Sequence, residues 1–221
     1  AWATSMVACG DADGAVTGNT RRFGASLEKI KQVVDVRKGE IMFGLNMVVH
    51  KGKTIFVGDT SVHEYPTSEQ MAEIAISTAR VVRLFGFDPK VAFVSHSTFG
   101  QPLTSRTKHI RNAVDILKER KVDFEFDGDM QPDVALNPEY EELYPFSKIV
   151  GKANILVMPG QHSAAISYKM MKTVGDTKVI GPLLIGLGLP IEVAPLRSST
   201  SELINLASIA AYSADVINYR K

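Results

Sequence analysis

Four stretches of the chain repeat apolar residues at the spacing of a helix with one buried face. Residues 26–34 place Leu27, Ile30, Val33 and Val34 on one side. Residues 67–85 open on Thr67 with Gln70 three positions on, a capping-box pattern, and stop at Gly86. Residues 105–120 align Ile110, Ala113, Val114 and Leu117 opposite a charged face. Residues 200–219 follow Ser199, with Glu202 three positions on as a second capping box. Their apolar face is Leu203, Leu206, Ala207, Ala210 and Ala211, suited to a core or to an interface.

Between these lie short runs with strand character. Residues 41–49 and 54–57 flank Lys51-Gly52-Lys53 and predict a β-hairpin turned at Gly52. Residues 91–94, 124–126 and 155–158 alternate with the helices, the βαβ rhythm of a parallel sheet. The run Ile155-Leu156-Val157-Met158 stops at Pro159, is too short for a typical helix, and predicts a strand buried on both faces. The expected fold class is α/β with a mixed sheet, the hairpin supplying the antiparallel pair.

Composition narrows the class. The 221 residues are 45% hydrophobic and 22% charged, ordinary for a soluble globular protein with a full core. The 25 basic and 24 acidic residues nearly cancel, which removes the electrostatic case for nucleic acid. No apolar run approaches the ~20 residues that span a bilayer. Cys9 is the single cysteine, so an intrachain disulfide is impossible and a cytoplasmic setting is expected. Ala1-Trp2-Ala3 runs straight into Met6-Val7-Ala8-Cys9, as if the chain starts inside an amphipathic helix, so a fragment of a larger protein is expected.

Three segments carry candidate chemistry. Ser95-His96-Ser97-Thr98-Phe99-Gly100 lies between a strand and a helix, where open α/β sheets hold anions; its hydroxyls equally suit helix caps. Gly160-Gln161-His162-Ser163-Ala164-Ala165 repeats the arrangement, with His162 a ligand donor or a cap residue. Gly10-Asp11-Ala12-Asp13-Gly14 leads to Arg21 and Arg22, which match a phosphate bidentately or stand on the surface. Asp11 and Asp13 lack the further ligands of an EF-hand loop. The histidines show no metal-ligand spacing and no G-x-S-x-G elbow occurs, so no metal site is expected. Gly186-Leu187-Gly188-Leu189-Pro190 lacks the third glycine of a dinucleotide fingerprint. These residues indicate a binding domain for anionic small molecules without indicating a reaction.

Seven collinear segments then point one way: GDADGAVTG (10–18), PTSEQMAEIA (66–75), VAFVSHST (91–98), FDGDMQPDVAL (126–136), GKANILVMP (151–159), ISYK (166–169) and IGPLLIGLGLPIEV (180–193). Together they resemble the phosphate acetyl/butyryltransferase family over essentially the whole chain, with roughly the first third of a full-length member absent. TGNTRRFGASLEKI (17–30), SHSTFGQP (95–102), LYPFSKIVGKANILVMP (143–159) and INLASIAAY (204–212) resemble more closely the transferase-like C-terminal domain of large bacterial NADP-dependent malic enzymes.

The resemblance implies a three-layer α/β/α fold of the isocitrate/isopropylmalate dehydrogenase type, with two lobes around a cleft. One lobe is expected from 1–40 with 191–221, the other from 41–190. It implies acetyl-CoA as effector or substrate, homo-oligomers (dimer or higher), and malic-enzyme domains on the same polypeptide holding NADP and a divalent metal. The residues it assigns to the ligand are Asn19, Thr20, Arg21, Ser97, Thr98, His162, Ser163, Gly181, Pro182, Arg197 and Ser199. In active transferases an Asp serves as base for the CoA thiol, and a Ser-Arg pair stabilises the transition state. Here Arg197 keeps the arginine, Leu196 replaces the serine, Glu202 stands for the aspartate, and Glu28 aligns with a second arginine and reverses its charge. The expectation is a non-catalytic, acyl-CoA-sensing module. The alternative is an active phosphate acetyltransferase using Glu202 and Arg197.

Overall fold

The computed structural model describes residues 1–218. In chain order the elements are α1 (Trp2–Cys9), β1 (Ala15–Gly18), α2 (Phe23–Lys31), β2 (Phe43–His50), β3 (Lys53–Gly58), α3 (Ser68–Leu84), β4 (Lys90–Val94), α4 (Ser105–Glu119), β5 (Glu125–Met130), α5 (Pro132–Leu136), a 3-10 helix (Pro138–Leu143), β6 (Ile155–Val157), α6 (Gln161–Val174), β7 (Lys178–Ile185), β8 (Ile191–Ala194) and α7 (Thr200–Asn218). They group into two compact units, Ala1–Gly44 with Ile180–Lys221, and Leu45–Val179.

The Leu45–Val179 unit is a three-layer α/β structure on a mixed sheet. Its strands run in the order β5-β4-β6-β3-β2. β2 and β3 pair antiparallel, while β3 with β6, β6 with β4, and β4 with β5 pair parallel. The hairpin turns at Lys51 and Gly52, both at positive φ (47° and 79°), the geometry of a two-residue turn whose twist matches the strands. Central strands bury both faces, as the apolar run at Ile155 required. Val57, Ala92 and Leu156 face one core with Val134, Ala135 and Ala164 of α5 and α6. Helices α3 and α4 pack against β3, β4 and β6, and Met71, Ile74 and Leu117 are fully buried with Phe56, Phe93 and Ile155.

The caps explain where the long helices start. At α3 the Thr67 hydroxyl accepts from Gln70 N (3.1 Å) and Gln70 Oε1 accepts from Thr67 N (2.8 Å). An unforeseen box at α4 uses Thr104 and Thr107. Helix α3 stops before Gly86 at φ 82°. Expected boundaries shift in two places. The helix expected at 26–34 begins at Phe23 and ends at Lys31, with Val33 and Val34 in a turn that donates back to Ile30 O. The strand expected at 124–126 runs to Met130, because its polar residues pair with β4 at the sheet edge.

The other unit holds a short parallel pair, β1 with β8, in register from Ala15↔Ile191 to Gly18↔Ala194. Helices α1, α2 and α7 pack on it. Helix α1 ends at Gly10 (φ 83°), and Asp11 N donates to Met6 O at 2.8 Å, so this glycine-aspartate loop is a helix cap. On α7 the buried row is Leu206, Ala210 and Ala214. Ala207 and Ala211, expected on the apolar face, are exposed, because the packed stripe follows i, i+4 spacing. The expected end of this helix at Tyr219 lies outside the described residues. No described helix is long and apolar enough to cross a membrane.

Candidate functional site

Parallel pairing of β1 and β8 brings two loops together at the strand ends. A Cβ on Gly18 (φ 102°) would lie 2.3 Å from Ala194 O, so only glycine permits this approach. Asn19 N then donates to Ala194 O (3.0 Å), and Arg197 N donates to Asn19 O (3.0 Å). Both residues hold left-handed backbones, φ 62° and 61°. The result sets Asn19, Thr20 and Arg21 beside Arg197, Ser198 and Ser199. Thr20, Arg21, Arg22 and Arg197 are exposed, while Asn19 Oδ1 is buried with no hydrogen-bond partner. A buried acceptor without a donor costs about 1–3 kcal/mol, so a ligand N–H or O–H here would recover it. The loop pair therefore offers cationic side chains, hydroxyls and an unmet acceptor to an anionic ligand.

The residues expected to perform acyl transfer are placed differently. Glu202 Oε2 accepts from Ser199 N (2.7 Å) and Ser199 Oγ (2.9 Å), and Ser199 Oγ accepts from Glu202 N (3.3 Å). This is the capping box read from the sequence, and it engages Oε2 of the carboxylate that a thiol base would need. Leu196 is 54% exposed and brings no hydroxyl to the position. Glu28 lies on the surface with Lys31 Nζ 3.4 Å away.

In the Leu45–Val179 unit, the loop after β4 is organised by a buried carboxylate. Ser97 Oγ donates to Asp129 Oδ2, Gly100 N to Asp129 Oδ1 (2.9 Å), and Phe99 N to Asp129 O (2.6 Å). Thr98 Oγ1 accepts from Gln131 N at 3.2 Å. Ser97 and Asp129 are fully buried, so the Ser97 hydroxyl is turned into the protein. His96 alone of this group is exposed. A second buried carboxylate, Asp59, plays the same part after β3. It accepts from the amides of Ser61, Val62 and His63 and holds His63 Nδ1 at 2.7 Å. His162 is exposed, 3.5 Å from Glu64, with its ring stacked 6.4 Å from that of Tyr65. Ser163 Oγ donates to Gly160 O (2.9 Å), a local bond in the first turn of α6. Gly181 and Pro182 lie on β7.

The sequence reading missed Asp59 and Asp129. Their shared signal is a Gly-Asp pair near a strand end: Asp59 reaches the amides of the loop that follows it, whereas Asp129 reaches across to the loop after β4. It also missed Glu192, which sits on β8 opposite Val16 at 3% exposure and accepts from Leu184 N at 2.9 Å. Burial pushes its carboxyl up to about 8 against that single opposing hydrogen bond, so it is mostly protonated at neutral pH. Among the described residues no group of three His, Cys, Asp or Glu is arranged to hold a metal.

Among curated proteins, the NADP-dependent malic enzyme of Rhizobium meliloti (strain 1021) is 47% identical over 213 residues, which are 96% of this chain but 28% of that protein. The phosphate acetyltransferase of Bacillus subtilis (strain 168) is 31% identical, over 96% of this chain and 66% of that enzyme. Among solved structures, a phosphotransacetylase from Streptococcus pyogenes superimposes with a TM-score of 0.90 at 30% identity, over 96% of this chain and 66% of that one. The chain thus spans little more than a quarter of the malic enzyme's length and just under two thirds of the acetyltransferase's. The family model for phosphate acetyl/butaryl transferase matches residues 1–211, and the chain belongs to that family.

Proposed function

We propose that this chain is the phosphotransacetylase-like regulatory domain of an NADP-dependent malic enzyme, binding acetyl-CoA without transferring its acyl group. The observation that carries the reading is the engagement of Glu202. Its carboxylate caps α7 through Ser199, while Leu196 leaves the neighbouring position without a hydroxyl. The identity and coverage of the malic-enzyme match support the assignment of the parent protein.

On this reading Arg21 and Arg197 meet the phosphates of acetyl-CoA, Thr20 offers a hydroxyl, Asn19 Oδ1 accepts a hydrogen bond from the ligand, and Ser199 shapes the loop through its cap. The oxidative decarboxylation of malate, with NADP and a divalent metal, belongs to the remainder of the polypeptide. The isocitrate/isopropylmalate dehydrogenase type of the fold, a cytoplasmic setting and homo-oligomers belong to the same proposal. By thermodynamic reciprocity, acetyl-CoA and the malic-enzyme ligands alter each other's affinity wherever they are coupled.

Two measurements on one preparation test this. Acetyl-CoA at a hundredfold excess over its dissociation constant adds about 2.7 kcal/mol of stability. Acetyl phosphate with CoA should yield no thioester absorbance above the uncatalysed rate. Absence of a thermal shift at millimolar acetyl-CoA would refute binding. Rapid thioester formation abolished by Glu202→Gln would identify a phosphate acetyltransferase instead.

A further inference from the structure

A separate cavity of about 360 Å³ opens within the Leu45–Val179 unit, at the N-terminal ends of α3 and α4. Its wall is mixed. Pro66, Ile110 and Pro159 are apolar, Tyr65 adds an aromatic ring, and Arg106 and His109 add polar groups. The Arg106 guanidinium lies 5.1 Å from the centre of the Tyr65 ring. Among the described residues, none that lines the cavity is acidic. Glu64 faces His162 (3.5 Å), while Glu69 is hydrogen-bonded to Thr67 and interacts electrostatically with His109, so one carboxylate borders the wall without lining it.

His109 is fixed in place. Its Nε2 lies 2.9 Å from Pro66 O, and its Nδ1 lies 3.1 Å from Ser68 Oγ. Ser105 and Arg106 are the first two residues of α4, whose amide N–H groups have no intrahelical acceptor. The positive ends of a 17-residue and a 15-residue helix add to the charge of Arg106. A planar guanidinium already resting on an aromatic ring loses little freedom when it grips a carboxylate or phosphate bidentately.

We propose that this cavity binds a small organic anion: a carboxylate or phosphate held by Arg106 and the start of α4, on an apolar or aryl body packed against Tyr65, Ile110 and Pro159. None of its lining residues belongs to the Asn19–Arg197 loops, but the Tyr65 ring stacks on His162, one of the residues the resemblance assigns to acetyl-CoA, so the two ligands are separated by experiment. It suits a second regulatory metabolite.

The test titrates the 221-residue chain with phenyl phosphate, benzoate, inorganic phosphate and phenol by calorimetry. Saturable binding of phenyl phosphate or benzoate is expected below about 1 mM, and which of the two binds tighter identifies the preferred acid. Phosphate alone and phenol should each bind about tenfold more weakly, since each supplies half of the contact. Arg106→Gln should lose about tenfold or more in affinity. Arg106→Lys, which keeps charge without the fork, should fall between, and Arg83→Gln should change nothing. The acetyl-CoA thermal shift should survive in Arg106→Gln, which keeps the two readings distinguishable. No saturable binding of either acid by about 10 mM, equal affinity in Arg106→Gln, or phenol matching phenyl phosphate would each overturn the proposal.

Discussion

Burial of Glu192 makes a quantitative prediction about stability against pH. The carboxyl titrates at about 8 in the fold and at 4.5 as an exposed group. Below pH 4.5 both states hold the proton and the neutral acid costs nothing extra. As pH rises from 4.5 to 8 the unfolded chain releases the proton while the fold retains it, so stability falls. Above 8 both states are ionised and the loss is complete. The gap of roughly 3.5 pH units, at ~1.4 kcal/mol per unit, corresponds to roughly 5 kcal/mol in total. Between pH 5.5 and 7.5 the slope alone removes roughly 2–3 kcal/mol.

Glu192→Gln isolates this group from the other titrations. The amide oxygen still accepts from Leu184 N, and the side chain no longer ionises. Urea unfolding followed by circular dichroism at several pH values gives the difference directly. Trp2, the single tryptophan, is 86% exposed and is a poor reporter of unfolding. The variant should exceed the parent by roughly 1–1.5 kcal/mol at pH 5.5 and by roughly 4 kcal/mol at pH 7.5, so the gap widens by roughly 2–3 kcal/mol between them. Parallel curves, or a parent that gains on the variant as pH rises, would refute the buried-acid argument.

Other substitutions test the loops and caps. Asp129→Ala strips the acceptor from Ser97 Oγ and Gly100 N and should cost about 3 kcal/mol, read as a lower urea midpoint. Gly18→Ala drives a methyl group into Ala194 O; a thermal melt should show at least ~2 kcal/mol of destabilisation, and acetyl-CoA should cease to stabilise the protein. Thr67→Ala removes half of the α3 capping box and should cost about 1 kcal/mol, with Thr67→Ser restoring most of it. Arg197→Ala should abolish most of the acetyl-CoA thermal shift while leaving the unliganded melting temperature nearly unchanged, because the bond that shapes its loop is made by the backbone N–H.

Local rules carried much of this protein. Thr67 with Gln70 and Ser199 with Glu202 name their own partners, since a capping box is complete within four residues. Gly52 marked the hairpin, and the run at Ile155 marked a strand covered on both sides, because period and length are properties of the chain alone. The order of family motifs likewise needed only the sequence. Tertiary structure decided what no local window contains. It determined that Asn19 and Arg197, 178 positions apart, share a hydrogen bond because β1 lies parallel to β8. It turned Ser97 inward to Asp129, and it buried Glu192 on β8 beside β1, which a charged residue alone would not suggest. A residue's chemistry is written in the sequence, but its solvation and its partners depend on what the rest of the chain places against it.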